Sequence, residues 1–343
     1  MTIPLLHEPQ AALSQTKRPD LSISIVSFNR GDLVTQCLSS VRAHTRSVTY
    51  EVHLVAHEYD PAALEALKSS HAGIVVHRVS GIRGYSQNNN VALRAARGRY
   101  VAILNDDTVF QSDVFGQLVG FLERDPSVVA ACPVLRNQDG SLQKGLRGRL
   151  TPWGVLLHEL KLDRLVPPAR AAQLGTFDCT WLPADVGEAV DIEAGTGACF
   201  VARREALEAI GFLDEVFFLG PDDVDWTQRL RRQVGRVVIL PHVSLTHLGG
   251  ATLGPRYRTA LPTVYAGCYT FLRRYYGRAA EWLVRLIVGF VWSGLLTVAW
   301  YAVWLLSGSG WARTVSRARW SCVRFAFSGL SSSEIFAWLL RSP

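Results

Sequence analysis

The sequence predicts an α/β protein with a doubly wound, mostly parallel sheet, followed by a basic helical tail. Two observations predict the sheet. From Leu21 to Ala96, short apolar runs alternate with helical stretches of roughly a dozen residues, the pattern of successive right-handed βαβ units. The run Tyr100-Val101-Ala102-Ile103-Leu104 then passes without a break into Asn105-Asp106-Asp107-Thr108. A buried parallel strand ending in acidic groups places them at the carboxyl edge of the sheet, where open α/β folds bind ligands. The third observation concerns the tail. Residues 256–343 hold eleven Arg and two Glu, or +9 of the total +7, so residues 1–255 carry −2. A body of that charge argues against a nucleic-acid partner.

Residues 1–20 read as a mobile arm, without the basic start and long apolar run of a signal peptide. Leu21 to Phe28 gives the first strand, and Asn29-Arg30-Gly31-Asp32 supplies the turn into a helix over Leu33 to Ala43. A strand over Glu51 to Val55, a helix over Pro61 to Ser70, a strand over Gly73 to Val79 and a helix over Ser86 to Ala96 follow. After the acidic strand come a helix over Ser112 to Leu122 and a strand over Val128 to Cys132. Between Leu135 and Asp191 periodicity weakens while Gly, Pro and Trp accumulate, as in a loop-rich insertion over a site. Ala198 to Ala202 is a strand, and Arg204 to Ile210 is a helix stopped by Gly211. Pro221 opens a helix whose buried face is Trp226, Leu230 and Val234. Val237 to Leu240 is a last strand, and Val243 to Gly250 reads as a closing loop.

The tail, residues 256–343, differs in character. No residue between Arg285 and Arg313 is charged, and Leu286 to Leu306 has the ~20 residues that cross a bilayer. A single crossing would separate Arg313, Arg317, Arg319 and Arg324 from Arg273, Arg274 and Arg278, against the positive-inside bias. The expectation is therefore of helices lying in, or dipping into, the cytoplasmic leaflet of the inner membrane. The competing reading is a buried helix of a soluble homo-oligomer, since Gly289, Ser293 and Gly294 also pack well. Six scattered cysteines with no Cys-x-x-Cys spacing read as buried reduced thiols, consistent with a cytosolic site.

Three elements converge at the sheet edge: Asp107, the Asp222-Asp223 pair and His247. Oxygen ligands with one imidazole suit Mg²⁺ or Mn²⁺ better than Zn²⁺, and such a cation could neutralise a departing diphosphate. At a helix start, the dipole favours the ionised form of Asp223 while Asp222 and Asp225 oppose it, leaving a carboxylate able to act as a general base. The alternative for the first group is a polar turn with Asp107 capping the next helix.

These residues together resemble an inverting glycosyltransferase of family two with the Rossmann-like GT-A fold, in the bacterial rhamnosyltransferase-like branch. The resemblance covers residues 21 to about 250 and rests on several blocks in order. They are Ser22 to Asn29; Gly84-Tyr85-Ser86 through Asn89, where members write Gly-Phe-Ala and then Asn; and Leu104 to Thr108, with Asp106 in place of a proline. Gly197-Ala198 through Glu205, Gly211 through Phe218, Asp222-Asp223-Val224-Asp225 and His247-Leu248-Gly249-Gly250 complete the set. The resemblance implies Asp107 as the metal-binding acid, His247 as a ligand to metal or diphosphate, and Asp223 as the catalytic base. It assigns Ser27, Asn29, Arg30, Gly84, Asn89, Asn105 and Asp106 to the nucleotide-sugar donor, and Gly197, Ala198 and Asp222 to the acceptor, while His57, Glu58 or backbone stand in for the family's base-contacting Asp, which this sequence lacks.

What it implies about function is metal-dependent transfer of a sugar, such as rhamnose from a dTDP donor, to a lipid-linked or growing saccharide of the cell envelope. Polyprenyl phosphate as acceptor is the alternative. The second strand ends in Val55-Ala56-His57 where members carry Val-Asp-Asn, Ile82 stands where Asn is usual, and Ala194 lies near a common Trp position. The missing Asp also leaves open a non-catalytic, glycan-binding scaffold.

Overall fold

The computed structural model describes residues 18–143, 149–167, 187–249 and 257–341. Most of the expected arm, parts of the 135–191 insertion, Cys179 and Gly250 lie outside the described residues. The strands are β1 (Leu21–Ser27), β2 (Tyr50–His57), β3 (Val75–Val79), β4 (Tyr100–Asn105), β5 (Thr108–Val109), β6 (Val128–Arg136), β7 (Val190–Asp191), β8 (Cys199–Arg203) and β9 (Arg236–His247). They form one nine-stranded sheet in the order β3-β2-β1-β4-β8-β6-β9-β5, with β7 paired to β9. β3, β2, β1 and β4 run parallel, β8 is antiparallel to both its neighbours, and β6 and β9 are again parallel. The mixed sheet thus keeps the expected mostly parallel body.

Helices cover both faces because the strands are apolar on both sides. On one face lie α1 (Gly31–His44), α2 (Pro61–Ser70) and α4 (Val114–Arg124), through Val34, Leu38, Leu64, Phe115 and Leu118. On the other lie α3 (Tyr85–Ala95), α6 (Arg204–Ala209) and α7 (Asp222–Gln233), where Trp226 packs on Phe200 with ring centroids 3.6 Å apart. Between them in sequence, α5 (Pro152–Glu159) starts at Pro152 with Thr151 capping Gly154 N. The tail forms α8 (Tyr257–Tyr276), the long helix α9 (Arg278–Ser307), α10 (Gly310–Phe325) and α11 (Ser332–Arg341).

Two expectations need correction. The stretch read as a closing loop is strand: β9 continues to His247 past Pro241, because a register shift between Pro133 and Val134 of β6 skips three residues of β9 before pairing resumes at Ser244. Val234 lies past the end of α7 and is 40% exposed, so the buried helical face ends at Leu230.

The tail shares a core with the α/β body. Val284 and Val288 of α9 and Cys322 of α10 cluster with Phe271 of α8, Val224 of α7, Phe217, and Leu156 of α5. The segment Phe218–Pro221, which delivers the chain to α7, is clamped between two glycines. A Cβ on Gly84 would stand 2.6 Å from the Phe218 carbonyl oxygen, and one on Gly267 of α8 only 2.0 Å from that of Gly220. Both are backbone clashes that no rotamer relieves. Gly84→Ala and Gly267→Ala are each expected to lower stability by roughly 1–3 kcal/mol, measured as a shift in urea midpoint at constant m-value.

Candidate active site

At the carboxyl edge, β4 ends at Asn105 and the chain turns through Asp106 and Asp107 into β5. Neither aspartate caps the next helix; that role belongs to Asp113, which accepts from Gly116 N at 2.9 Å. The two-residue strand β5 pairs antiparallel with the end of β9, Thr108 opposite His247, and Leu248 N donates to Asp107 O at 2.9 Å. This pairing sets His247 Nε2 3.1 Å from Asp107 Oδ1.

The imidazole is held from its other side. Gln143 Nε2 donates to the His247 carbonyl (3.0 Å) and to Asn137 Oδ1 (3.1 Å), which turns Gln143 Oε1 toward His247 Nδ1 at 2.6 Å. An acceptor there requires the proton on Nδ1, leaving the Nε2 lone pair facing Asp107. Asn105 Nδ2 lies 3.3 Å from the same Nε2, a contact that a cation taking that lone pair would replace. A lone pair against a carboxylate oxygen is repulsive unless a proton or a cation joins them. Two ligands about 2.1 Å from an octahedral cation, at right angles, stand about 3.0 Å apart. Asp107 and His247 therefore fit Mg²⁺ or Mn²⁺ as a two-ligand site. Among the described residues no group of three or more His, Cys, Asp or Glu could hold a metal.

Tyr85 links this pair to the acidic helix. Its hydroxyl lies 3.1 Å from Asn105 Oδ1 and 2.8 Å from Gly197 O, between β4 and the start of β8. Burial, followed by the surrounding charges of Asp222, Asp223 and Asp107, raises its phenol well above the ordinary value. Tyr85 is thus a permanent hydroxyl with three carboxylates around it. Asp222 and Asp223 open α7, both buried, and Thr227 Oγ1 donates to Asp223 O at 2.7 Å. Asp225, a turn further in, is wholly enclosed by Arg229 (2.7 Å), Arg274 (3.0 Å) and the Tyr275 hydroxyl (2.8 Å). It anchors the helix and takes no part at the surface of the site.

The donor-side candidates form a second cluster at the ends of β1, β2 and β4. Ser27 Oγ pairs with the Tyr59 hydroxyl at 2.7 Å. Asn29 (φ 54°) and Glu58 (φ 52°) both hold left-handed turns, and Asn29 Oδ1 accepts from Asp60 N at 3.3 Å. Arg30 pairs with Asp32 at 3.4 Å. His57 Nε2 bonds to Gly81 O at 2.9 Å and its ring lies against Phe28. Ser27 stands in register with Ala56, and Val26 with Asn105, so Asp106 follows on the strand beside Ser27. Gly84 and Asn89 support the chain on either side of Tyr85. Gly84 packs on the Phe218 backbone, and the wholly buried Asn89 joins Ser24 Oγ (2.8 Å) to Tyr85 O (3.1 Å). Ala198 takes part through its backbone, accepting from Asn105 N at 2.9 Å.

Gln143 and Tyr85 carry roles that sequence reasoning missed. Gln143 falls in the aperiodic insertion and gives no signal; for Tyr85 the signal was a hydroxyl where relatives write Phe. The five described cysteines are buried free thiols, with burial pushing Cys37, Cys132 and Cys322 up to about 12.

Burial, against a hydrogen bond from Ser27, raises the Asp106 carboxyl to about 6, and its Oδ2 has no partner. A folded value above the unfolded one means the native state keeps this proton. Stability from Asp106 is complete below the unfolded value of 3.8 and falls as pH rises through about 6. Asp106→Asn is therefore expected to stabilise the metal-free protein by on the order of 3 kcal/mol near pH 8 and to leave it unchanged near pH 3.5, measured by urea unfolding.

Residues 22–181 match the model of glycosyl transferase family 2. The O-antigen biosynthesis protein RfbC of Myxococcus xanthus is 26% identical over 234 residues, which make up 67% of this chain but 17% of that protein. The chain thus spans about one sixth of the length of that curated relative. Among solved structures, the mannosyltransferase PcManGT of Pyrobaculum calidifontis, in complex with GDP-Man and Mn²⁺, superposes with a TM-score of 0.52 at 16% identity, covering 92% of this chain and 89% of that one. GalNAc-T7, with UDP, GalNAc and Mn²⁺, gives 0.50 at 16% identity, covering 67% and 43%. At these identities the likeness concerns the fold. The match to glycosyl transferase family 2 thus spans just under half of the chain, residues 22–181, and the fold is like that of these two glycosyltransferase structures.

Proposed function

We propose that the chain is a metal-dependent inverting glycosyltransferase that moves a sugar from a nucleotide-diphosphate donor onto a cell-envelope saccharide. The observation that carries this reading is the Asp107–His247 pair, two acceptors set 3.1 Å apart with the tautomer fixed by Gln143. The family match and a relative named for O-antigen biosynthesis support the reaction class and the polysaccharide setting. The Mn²⁺ and nucleotide sugars of the structural neighbours agree with the metal and donor class. The finer assignment, a deoxyhexose such as rhamnose from dTDP onto a lipid-linked or growing saccharide at the cytoplasmic face of the membrane, rests on the resemblance of the motifs and on the apolar tail.

Asp223 takes the proton of the acceptor hydroxyl, and the freed oxygen pair forms the new bond to the anomeric carbon. The anomeric bond to the diphosphate breaks on the opposite face, so configuration inverts in one displacement. Asp107 and His247 would hold Mg²⁺ or Mn²⁺, which supplies charge neutralisation for the departing diphosphate. Asn105 and Tyr85 fix the geometry between the two halves of the site. Ser27, Tyr59 and Asp106 present polar groups to the nucleoside, with Asp106 one strand from the Ser27 that stands beside Ala56.

Two outcomes check this proposal. Asp223→Asn is expected to lower kcat for transfer about 10²- to 10⁴-fold with donor KM changed little; unaltered turnover with a screened panel of nucleotide sugars would remove Asp223 as base. Gln143→Leu is expected to weaken Mn²⁺ binding about ten- to a hundred-fold in the presence of nucleoside diphosphate, followed by electron paramagnetic resonance, whereas Gln143→Glu keeps the acceptor and the affinity.

A further inference from the structure

At the root of α9 lies a cleft of about 290 Å³ lined by Arg273, Arg278, Arg285, Glu281, Trp282 and Phe327. Its charges are unequal. Buried Glu281 accepts from Arg285 Nε at 2.9 Å and Nη2 at 2.8 Å, and Arg285 Nη1 also donates to Ala326 O at 2.7 Å. One guanidinium is thereby neutralised and its donors are occupied. Arg273 reaches Glu281 only at 4.0 Å and its side chain is 58% exposed. Arg278 has no hydrogen bond or ion pair among the described residues. Two cations thus line a cleft whose single carboxylate is already engaged.

The wall of the cleft is aromatic and continues as an apolar strip. The Trp282 and Phe327 rings stack at 5.6 Å and 15°, and Phe290 lies 5.6 Å from Phe327. Trp282, Leu286 and Phe290, at helical intervals of four on α9, are each about half exposed. Among the described residues no further element covers them. A concave pair of cations opening onto an exposed apolar helix face complements one kind of molecule, an amphiphile with an anionic phosphate head and a hydrocarbon tail.

We infer that this cleft is a lipid site: Arg273 and Arg278 bind the phosphate headgroup of a bilayer phospholipid whose chains lie along Trp282, Leu286 and Phe290. The site deepens the membrane part of the proposed function. It is joined to the site of chemistry by sequence, since Arg274 and Tyr275, next to Arg273, hold Asp225 two residues from Asp223.

The test uses the full chain and flotation with vesicles of equal parts phosphatidylglycerol and phosphatidylcholine. The double variant Arg273→Gln, Arg278→Gln is expected to lose about thirty-fold in vesicle affinity, from ~1 kcal/mol for each cation at the surface. The charge-matched pair Arg42→Gln, Arg46→Gln, at the end of α1, is expected to stay within about threefold of the parent, since it lies outside the cleft. Equal losses in both pairs, or no loss in the first, overturn the inference. Should the double variant fail to fold by circular dichroism, Arg278→Gln alone, at an exposed side chain, is expected to show about a fivefold loss. Thermal shift with inorganic phosphate and glycerol 3-phosphate separates the sources: stabilisation by these without vesicle binding assigns the cleft to a soluble phosphate and overturns the lipid. The assay measures no sugar transfer, so its failure and that of the catalytic reading are distinguishable.

Discussion

The segment Phe218–Pro221 reaches the sheet edge only because no side chain stands in its way on either side. Gly84 at the start of α3 and Gly267 in the middle of α8 let two backbones approach within distances that any Cβ would forbid. The acidic helix depends on this clamp: Asp222 and Asp223 enter the site from the first turn of α7, and Tyr85 N donates to Phe218 O at 2.9 Å. Asp225 completes the fixation from below. Its carboxylate, 0% exposed, would be costly unpaired, and three donors from two helices satisfy it. Arg229 extends the network to the carbonyls of Ile210 and Phe212, and Arg274 extends it to Asp214. The helix bearing the proposed base is therefore positioned by the tail as much as by the sheet.

The consecutive carboxylates of the Asn105-Asp106-Asp107 turn serve different neighbours. Asp107 faces β9 and is paired with an imidazole whose tautomer is set by Gln143. Asp106 faces the end of β1, where burial outweighs the hydrogen bond from Ser27 and favours the neutral acid.

Much of this was legible in the sequence, for identifiable reasons. The parallel strands β1, β2 and β4 are buried on both faces, so each reads as an apolar run, and α2 runs from Pro61 to Ser70 as its proline start and apolar spacing indicated. The pairing of Asp107 with His247 followed from motif order, but the device that creates it did not. A strand of two residues has no periodicity, and Pro241 interrupts β9 with a bulge that looks like an ending. Gln143 and Asp225 were hidden differently. Their roles depend on partners 104 and 49–50 residues away, and no local pattern encodes such a distance.

The tail shows how a local reading and a global one can diverge. By length and composition α9, Arg278–Ser307, is the one helix among the described residues able to cross a membrane. Its partner argues otherwise. α10 runs back along it, with Ser316 Oγ donating to Thr297 O at 3.0 Å and Arg285 Nη1 reaching Ala326 O. A crossing by α9 would drag α10 into the hydrocarbon together with Arg313, Arg317 and Arg324, all exposed on that helix. Those arginines recur with Trp320 at intervals of three and four, forming a basic stripe beside the apolar face of α9. A stripe of cations flanking an apolar strip is what an interfacial element presents to a leaflet: the apolar side enters the acyl boundary while the arginines stay among the phosphates. With Val284, Val288 and Cys322 in the core that holds Val224, such a docking would set the depth and tilt of the site relative to the leaflet without any segment passing through it.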